Sequence, residues 1–186
     1  RRRGIEKEIK KGEIIMSVEH IQQSVGNVIT YLTENPDAAV SAGPPTKAVM
    51  EGGLQCRATG ADGQTIVTDM PEAVGGGGTA PSPGWLLMAA LVTCDTTRIA
   101  LRAAELGIAL DTLEVSVESV YDDRGLFGMD PPVQAGPLSV LTQVTIGAAG
   151  VDENVLRGIV DHAVTCSPVA DRLPREASTQ VEVTIA

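Results

Sequence analysis

The spacing of hydrophobic residues changes from a helical to a strand period within the first third of the chain. Residues 17–35 carry apolar side chains every three or four positions, which predicts an amphipathic helix that Pro36 ends. Three shorter apolar pieces follow, around a turn at Ala61-Asp62-Gly63. They predict an antiparallel meander of strands at residues 48–51, 54–58 and 65–69.

The longest apolar segment follows a run of four glycines at residues 75–78. Ser82 and Pro83 are residues favoured at the N-cap and at the first position of a helix, and Gly107 is typical just after a helix ends. The first half of this predicted helix is apolar on every side, so we expect it to be buried all round. A chain of 186 residues has difficulty surrounding such a helix alone, which favours an intimate dimer.

In the second half of the chain, apolar and polar residues first alternate and then take up a helical spacing. Residues 112–121 and 138–146 predict two strands, separated by a loop at residues 122–136. A helix should begin at Val151 or Asp152, a short one near Ser167, and a last strand at residues 179–185. The inner face of the first of these helices is predicted to carry Val155, Ile159, Val160 and Ala163. The order of elements predicts an α+β fold rather than a doubly wound parallel sheet.

The chain is predicted to consist of three segments. Residues 1–16 form a basic leader with six Lys or Arg and three Glu. We interpret the leader as an upstream extension or a remnant of expression, because Met16 has the character of a natural start. Residues 17–47 are expected to form an N-terminal helix and loop, and residues 48–186 the main domain.

Charge and composition exclude several partners. The net charge is −10, with 14 basic and 24 acidic residues, and an acidic body repels phosphate backbones. Only 2% of residues are aromatic, so there are few rings on which bases could stack. The leader lacks the apolar core of a secretory signal, and the apolar run 85–92 gives way to polar residues before it reaches the length of a membrane span. We therefore expect a cytoplasmic protein that binds neither nucleic acid nor membrane.

The chain has three cysteines, and two of them have a candidate role. The first of these two is Cys94. It lies in the long predicted helix where apolar residues give way to polar ones, which is typical of a cavity or an interface. Arg98 is four residues further along the same face, where its guanidinium would favour a thiolate. The alternatives are that Cys94 is a small hydrophobic core residue and that Arg98 pairs with Asp95 or Glu105.

Cys166 is the second candidate, at the predicted joint between two helices. If Ser167 caps the next helix, the sulfur lies near free backbone N–H groups and the positive end of the helix dipole, which favour a thiolate. His162, four residues before it, would be a base if the helix continues to Cys166. An inert thiol at a helix joint is the alternative, and Cys56 is expected to be structural.

Other chemistry finds little support. The chain has two histidines and no Cys-x-x-Cys pair, so we expect neither a metal site nor a cofactor. The glycine run formally matches a dinucleotide-binding loop, but Pro81 and Pro83 remove backbone donors where a phosphate would need them. Nucleotide binding is therefore the least favoured hypothesis, and close backbone packing explains the glycines better.

Three stretches together resemble the OsmC/Ohr superfamily, the osmotically inducible protein C and organic hydroperoxide resistance proteins. They are residues 75–91 with Cys94, the helix end at residues 103–108, and Cys166 with the Ser-Pro-Val that follows it. With the order of strands, the resemblance covers roughly residues 48–186. It implies an α+β homodimer in which antiparallel sheets wrap around long central helices.

The resemblance also implies a function, the thiol-dependent reduction of organic hydroperoxides at the dimer interface. Cys94 matches the peroxidatic cysteine and Cys166 the resolving one, and an external dithiol would reset their disulfide. Family peroxidases place a Glu after the helix-starting Pro, where this chain has Gly84. The activating arginine would be Arg57 or Arg124, with Arg98 as a third candidate. The alternative is a non-catalytic relative that binds a small apolar or electrophilic ligand at the dimer interface.

Overall fold

The structure is a computed structural model, and it describes residues 17–173. Groups of helices and groups of strands alternate along this part of the chain. The leader at residues 1–16 and the predicted strand at residues 179–185 lie outside the described residues. The elements are helix α1 (Val18–Glu34), strands β1 (Thr46–Gly52), β2 (Gln55–Gly60) and β3 (Thr65–Thr68), helix α2 (Pro83–Glu105), strand β4 (Thr112–Val120), the short helix α3 (Asp123–Leu126), strand β5 (Ser139–Gly147), and helices α4 (Glu153–Thr165) and α5 (Pro168–Arg172).

The helix starts lie where the sequence predicts them because a capping side chain stands at each. A side-chain oxygen just before the helix accepts a hydrogen bond from a backbone N–H of the first turn, which would otherwise lack a partner. The pairs are Ser17 with His20, Ser82 with Trp85, Asp152 with Asn154, and Ser167 with Ala170. At the other end of α2, Gly107 takes a left-handed conformation with φ of 71°, which suits a residue without a side chain.

The structure has two antiparallel sheets, and the first of them confirms the predicted meander. Strands β1, β2 and β3 form a meander, with Cys56 opposite Thr68 on the β2–β3 pair. Strands β4 and β5 form a two-stranded sheet that runs from the pair Thr112–Gly147 to the pair Val120–Ser139. The strand ends differ from the predicted ones by one or two residues, which is the usual uncertainty of a hydrophobic pattern.

The core lies where α2 crosses α4 over the inner face of the β4–β5 sheet. Ile99 and Ala103 of α2 and Ile159 and Ala163 of α4 are buried there. The two alanines allow the helices to approach closely, and the isoleucines fill the space between them. Around this cluster lie partly buried side chains of the α2–β4 connection, of the β4–β5 sheet and of α4, namely Ile108, Leu110, Leu113, Val115, Val144, Ile146, Leu156 and Val160.

One predicted core position of α4 is wrong. Val155 is 43% exposed, and Leu156 packs against the core in its place. The inner face of α4 is centred between Ile159 and Ala163. At 100° per residue Leu156 falls about 40° from that centre, on the side of Val160, whereas Val155 falls about 60° away on the opposite side. The three- and four-residue spacing of the apolar residues therefore does not by itself locate the core-facing side of α4 correctly.

The chain covers one side of α2 and leaves the other open. Leu91, Asp95 and Ile99 are buried, whereas Trp85 in the first turn is 57% exposed. The prediction that the first half of this helix is buried all round is therefore wrong for the single chain, because the rest of the chain packs on one face only. An intimate dimer, which would cover the other face, stays a prediction.

Helix α2 is also the one helix among the described residues that is long and apolar enough to cross a membrane, judged by length and composition. It buries the carboxylate of Asp95 and packs against α1, α4 and β4. A buried charged side chain on the covered face is typical of the central helix of a globular fold.

Candidate functional site

The Cys94 sulfur is held by a hydroxyl group from another helix. Cys94 is half-buried on α2, and the Oγ of Ser167 donates a hydrogen bond to its Sγ at 3.3 Å. Ser167 is fully buried, with 0% of its surface exposed, and the same oxygen accepts the backbone N–H of Ala170 at the start of α5. The capping residue of the last helix is therefore also the polar neighbour of the thiol.

Cys166 lies on the other side of the same joint. It ends α4 and is exposed, and its Sγ lies 3.9 Å from Nε2 of His162 on the last turn of that helix. All three cysteines are free thiols. The structure thus brings the Cys94 thiol to Ser167, and it brings the Cys166 thiol to His162.

The two arginines predicted to activate the thiolate each have a carboxylate partner elsewhere. Arg57 on β2 forms two hydrogen bonds to Glu51, of 2.6 and 3.0 Å, which raise the pKa of Arg57. Arg124 on α3 donates from Nε to Asp122 at 2.9 Å, and this pairing raises the pKa of Arg124. Both pairs lie at the surface, where such pairs contribute little to stability.

Polar groups are buried along the face of α2 beyond Cys94. Asp95 is 1% exposed and its Oδ1 has no hydrogen-bond partner, and the Nε atoms of Arg98 and Arg102 are likewise buried without a partner. Glu105, one of the predicted partners of Arg98, pairs with Arg102 at 2.8 Å instead. The change from apolar to polar residues on this helix was the sequence signal for this stripe, but it did not reveal which residues pair.

An apolar groove runs along the first turns of α2. Its volume is 860 Å³, and one end is bordered by Thr93, the residue before Cys94. Its walls come from α2, from the end of β4 and from α3, and include Trp85, Met88, Val92, Val117, Tyr121 and Leu126. The sequence did not predict this groove, because its walls come from segments as far apart in the chain as Met70 and Ala135.

The glycine-rich loop before α2 is organised by one buried carboxylate. Asp69 accepts hydrogen bonds from the backbone N–H groups of Met70, Gly77 and Thr79 and from the Thr79 hydroxyl, the last at 2.7 Å. The four glycine amides that a phosphate would need are therefore already used, because Gly77 donates to Asp69 and the other three donate to backbone carbonyl oxygens of residues 70–72. This arrangement supports the structural explanation of the glycines over nucleotide binding.

The Gly76→Ala variant tests the close packing of this loop. A Cβ at Gly76 would lie 1.9 Å from the backbone oxygen of Met70, so the loop must shift. We expect a loss of about 1–3 kcal/mol in the free energy of unfolding, measured by urea denaturation. Gly84→Ala is the control, because its Cβ meets nothing closer than 3.9 Å, and it should stabilise helix α2 by roughly 0.5–1 kcal/mol. Equal stabilities for the two variants would contradict the close approach.

The Asp69 carboxylate should make stability depend on pH. Hydrogen bonds from the Thr79 side chain, and then from backbone amides, lower the pKa of Asp69 in the folded protein. A lowered folded pKa stabilises the fold above the unfolded pKa, near pH 4, and this contribution is lost as the pH falls through the folded pKa. Asp69→Asn should therefore be less stable than wild type at pH 7, with the difference shrinking below about pH 4.

The exposed Asp62, which accepts one bond of 3.3 Å from Gln64, provides the control for this prediction. Denaturation curves of wild type, Asp69→Asn and Asp62→Asn at pH 7 and at pH 3 make the comparison. If Asp62→Asn changes the pH dependence as much as Asp69→Asn does, the anchoring role of Asp69 is wrong.

Metal ligands are not clustered in the described part of the chain. Among residues 17–173 no group of three or more His, Cys, Asp or Glu side chains is arranged to hold a metal ion. The candidate site itself brings together the thiol of Cys94 and the hydroxyl group of Ser167.

The chain combines an α+β fold with a half-buried cysteine on its central helix, next to the joint between α4 and α5. A family of known proteins matches this chain. The OsmC-like protein family matches residues 75–184, more than half of the chain, and the chain belongs to this family. No curated protein matches the sequence.

Solved structures share the same fold. An osmotic stress induced and detoxification response protein of Psychrobacter arcticus is 24% identical, with a TM-score of 0.56 over 72% of this chain and 90% of that one. An organic hydroperoxide resistance protein OsmC of Legionella pneumophila is 20% identical, with a TM-score of 0.54 over 73% and 91%. An OsmC like protein of Mycoplasma pneumoniae is 16% identical, with a TM-score of 0.59 over 72% and 89%. These similarities confirm the predicted OsmC-like fold.

Proposed function

We propose that this chain is a cysteine peroxidase that reduces organic hydroperoxides at the thiol of Cys94. The observation that carries the proposal is the half-buried Cys94 sulfur, which accepts a hydrogen bond from the fully buried hydroxyl group of Ser167. This contact holds the sulfur in place, and the thiolate is the nucleophilic form of a cysteine.

The reaction is a displacement on the peroxide bond. The Cys94 thiolate attacks the terminal oxygen of the hydroperoxide and the O–O bond breaks. The alcohol leaves with a proton from solvent, and Cys94 becomes a sulfenic acid. An external dithiol then supplies two electrons, which returns the thiol and releases water and the oxidised dithiol.

We propose that Arg57 or Arg124 is the arginine that stabilises the thiolate. Both are held in surface ion pairs, with Glu51 and Asp122, and such pairs open at little cost. Either guanidinium is therefore free to turn toward an anionic site when one forms. A homodimer in the cytoplasm, with its sites at the interface between the two chains, is part of the same proposal.

A peroxide-consumption assay tests the proposed function. The protein is mixed with cumene hydroperoxide and an excess of a small dithiol, and the remaining peroxide is measured over time. We expect many turnovers per chain at a rate well above that of the dithiol alone. Consumption no faster than in a dithiol solution without protein would overturn the proposal.

The groove also favours a second candidate, a non-catalytic protein that binds a small apolar or electrophilic molecule. Gly84 stands where family peroxidases place a glutamate, and the groove has mainly apolar walls. This candidate predicts that apolar ligands raise the melting temperature while peroxide is not consumed. Turnover of cumene hydroperoxide would exclude it.

A further inference from the structure

His162 lies one helical turn before Cys166, and the two side chains meet. Helix α4 continues to Thr165, and the backbone N–H of Cys166 still donates to the carbonyl oxygens of His162 and Ala163. This spacing of four residues places Nε2 of His162 3.9 Å from the Cys166 sulfur. The structure therefore meets the condition, a helix that continues to Cys166, on which a role of His162 as a base depends.

The contact between His162 and Cys166 is open to solvent and is not shared with a third group. Both side chains are exposed, and a side chain built at Gly158, one turn before His162, would meet nothing within 4 Å. Among residues 17–173 the ring of His162 has no other polar partner. Reagents therefore reach the pair, and no other group of the described chain competes for the ring nitrogen.

Charged side chains on α4 and on the elements that pack against it set the electrostatic surroundings of the pair. On α4, Glu153, Arg157 and Asp161 line a groove against β5, and Glu153 pairs with Arg157. Strand β5 carries no charged residue. Those of α2 and α5 are Asp95, Arg98, Arg102, Glu105, Asp171 and Arg172, and Arg102 pairs with Glu105. Asp161 is the carboxylate next to His162 in sequence, so it provides a control for simple charge effects.

We infer that His162 is the general base of the resolving step and accepts the proton of the Cys166 thiol. The inference rests on the proposed peroxide reduction and on the predicted role of Cys166 as the resolving thiol. As the proton passes to Nε2, the Cys166 sulfur attacks the sulfenic sulfur of Cys94 and forms a disulfide. The S–O bond breaks, and the leaving hydroxide takes the proton from His162 and departs as water. An external dithiol then reduces the disulfide.

The place of His162 in the last turn of α4 suits this role. The carbonyl groups at the C-terminal end of a helix form the negative end of its dipole, which stabilises a positively charged imidazolium. A thiol in water ionises at about pH 8.5, whereas an imidazole takes up a proton at about pH 6.5. A thiol with an imidazole in contact therefore reacts at neutral pH, where an isolated thiol is mostly protonated.

The first experiment measures the reactivity of the Cys166 thiol without peroxide. Cys56→Ser with Cys94→Ser leaves Cys166 as the one cysteine of the full chain, and its alkylation by iodoacetamide is followed as a function of pH. In this background His162→Gln should lower the rate near pH 7 by about tenfold or more. Its rate should then rise only near about pH 8.5, as for an isolated thiol. Glutamine keeps a polar group, so a purely structural contact would leave the pH profile unchanged.

Two control variants accompany the alkylation experiment. His20→Gln removes the other histidine of the chain, which is exposed on α1, and should alkylate as the background does. Asp161→Asn should change the rate by less than about twofold, since salt screens an exposed charge. Equal pH profiles for His162→Gln and His20→Gln would overturn the inference. So would a loss of rate in Asp161→Asn as large as that in His162→Gln.

The second experiment follows the resolving step itself. The full chain and His162→Gln receive one equivalent of cumene hydroperoxide in the presence of dimedone, which traps sulfenic acids. Mass spectrometry then gives the ratio of the Cys94–Cys166 disulfide to the dimedone adduct of Cys94. We expect the disulfide to prevail in wild type and the adduct to rise about tenfold in His162→Gln near pH 7. An unchanged ratio would show that His162 takes no part in the resolving step.

Together the two experiments separate this inference from the proposed function. If neither protein consumes peroxide but His162→Gln slows alkylation, the proposed function is wrong and the activation of Cys166 by His162 stands. If peroxide is consumed and His162→Gln alkylates like its control, the inference is wrong and the proposed function stands.

Discussion

Cys94→Ser should reduce peroxide consumption to the background rate of the dithiol, because a serine hydroxyl at this place is not ionised and is a poor nucleophile toward peroxide oxygen. The change replaces one sulfur by oxygen on a half-buried position of α2, so the fold should be retained. The measurement is the initial rate of cumene hydroperoxide loss at equal protein and dithiol concentrations.

Cys56→Ser is the matched control for this prediction. Cys56 lies on β2 opposite Thr68, whereas Cys94 lies on helix α2, and Cys56 is also a free, partly buried thiol. It should consume peroxide at the wild-type rate. If Cys94→Ser keeps the wild-type rate, or if both variants lose activity alike, the assignment of the reactive thiol is wrong.

Ile159→Ala should cause a large loss of stability, greater than that of Gly76→Ala. The side chain is 1% exposed and packs between Ile99 and Ala163 in the core. Its truncation removes apolar contacts and leaves a cavity, which costs about 2–5 kcal/mol in the free energy of unfolding. Urea denaturation at one fixed protein concentration is the measurement, since a dimer would make stability depend on concentration.

Val155→Ala on the same helix is its control. Val155 is 43% exposed, so its truncation should change the free energy of unfolding by about 0.5 kcal/mol or less. Both variants replace a β-branched residue by alanine in α4, which makes the change in helix propensity similar. Similar losses in the two variants would mean that the inner face of α4 includes Val155, as its spacing alone suggests.

Local signals predicted most of the secondary structure. Ser82 with Pro83, and Asp152 before α4, set helix starts through hydrogen bonds within one turn, so their effect does not depend on distant residues. The alternation of residues 112–121 likewise predicts a strand, and the structure has strand β4 at Thr112–Val120. Where a residue acts on its own neighbours, the sequence is sufficient.

The site was harder to predict because its contacts join distant segments. The cysteines were found from their places on helices, but the rotation of the backbone at the α4–α5 joint decides which of Cys166 and Ser167 faces inward. Neither residue type nor spacing encodes that rotation. Asp69 was missed for a related reason, since its partners lie up to ten residues ahead in a loop whose shape the carboxylate itself determines.

The three-stranded sheet has a consequence for how the protein assembles. Every residue of β1 is exposed, and the backbone bond from Asp69 to Pro81 is one of the links from this sheet to the start of α2. A strand that is so little buried by its own chain should undergo local opening more often than the β4–β5 sheet. In the proposed homodimer a second copy would shelter the amide protons of β1, which would then exchange with solvent faster upon dilution.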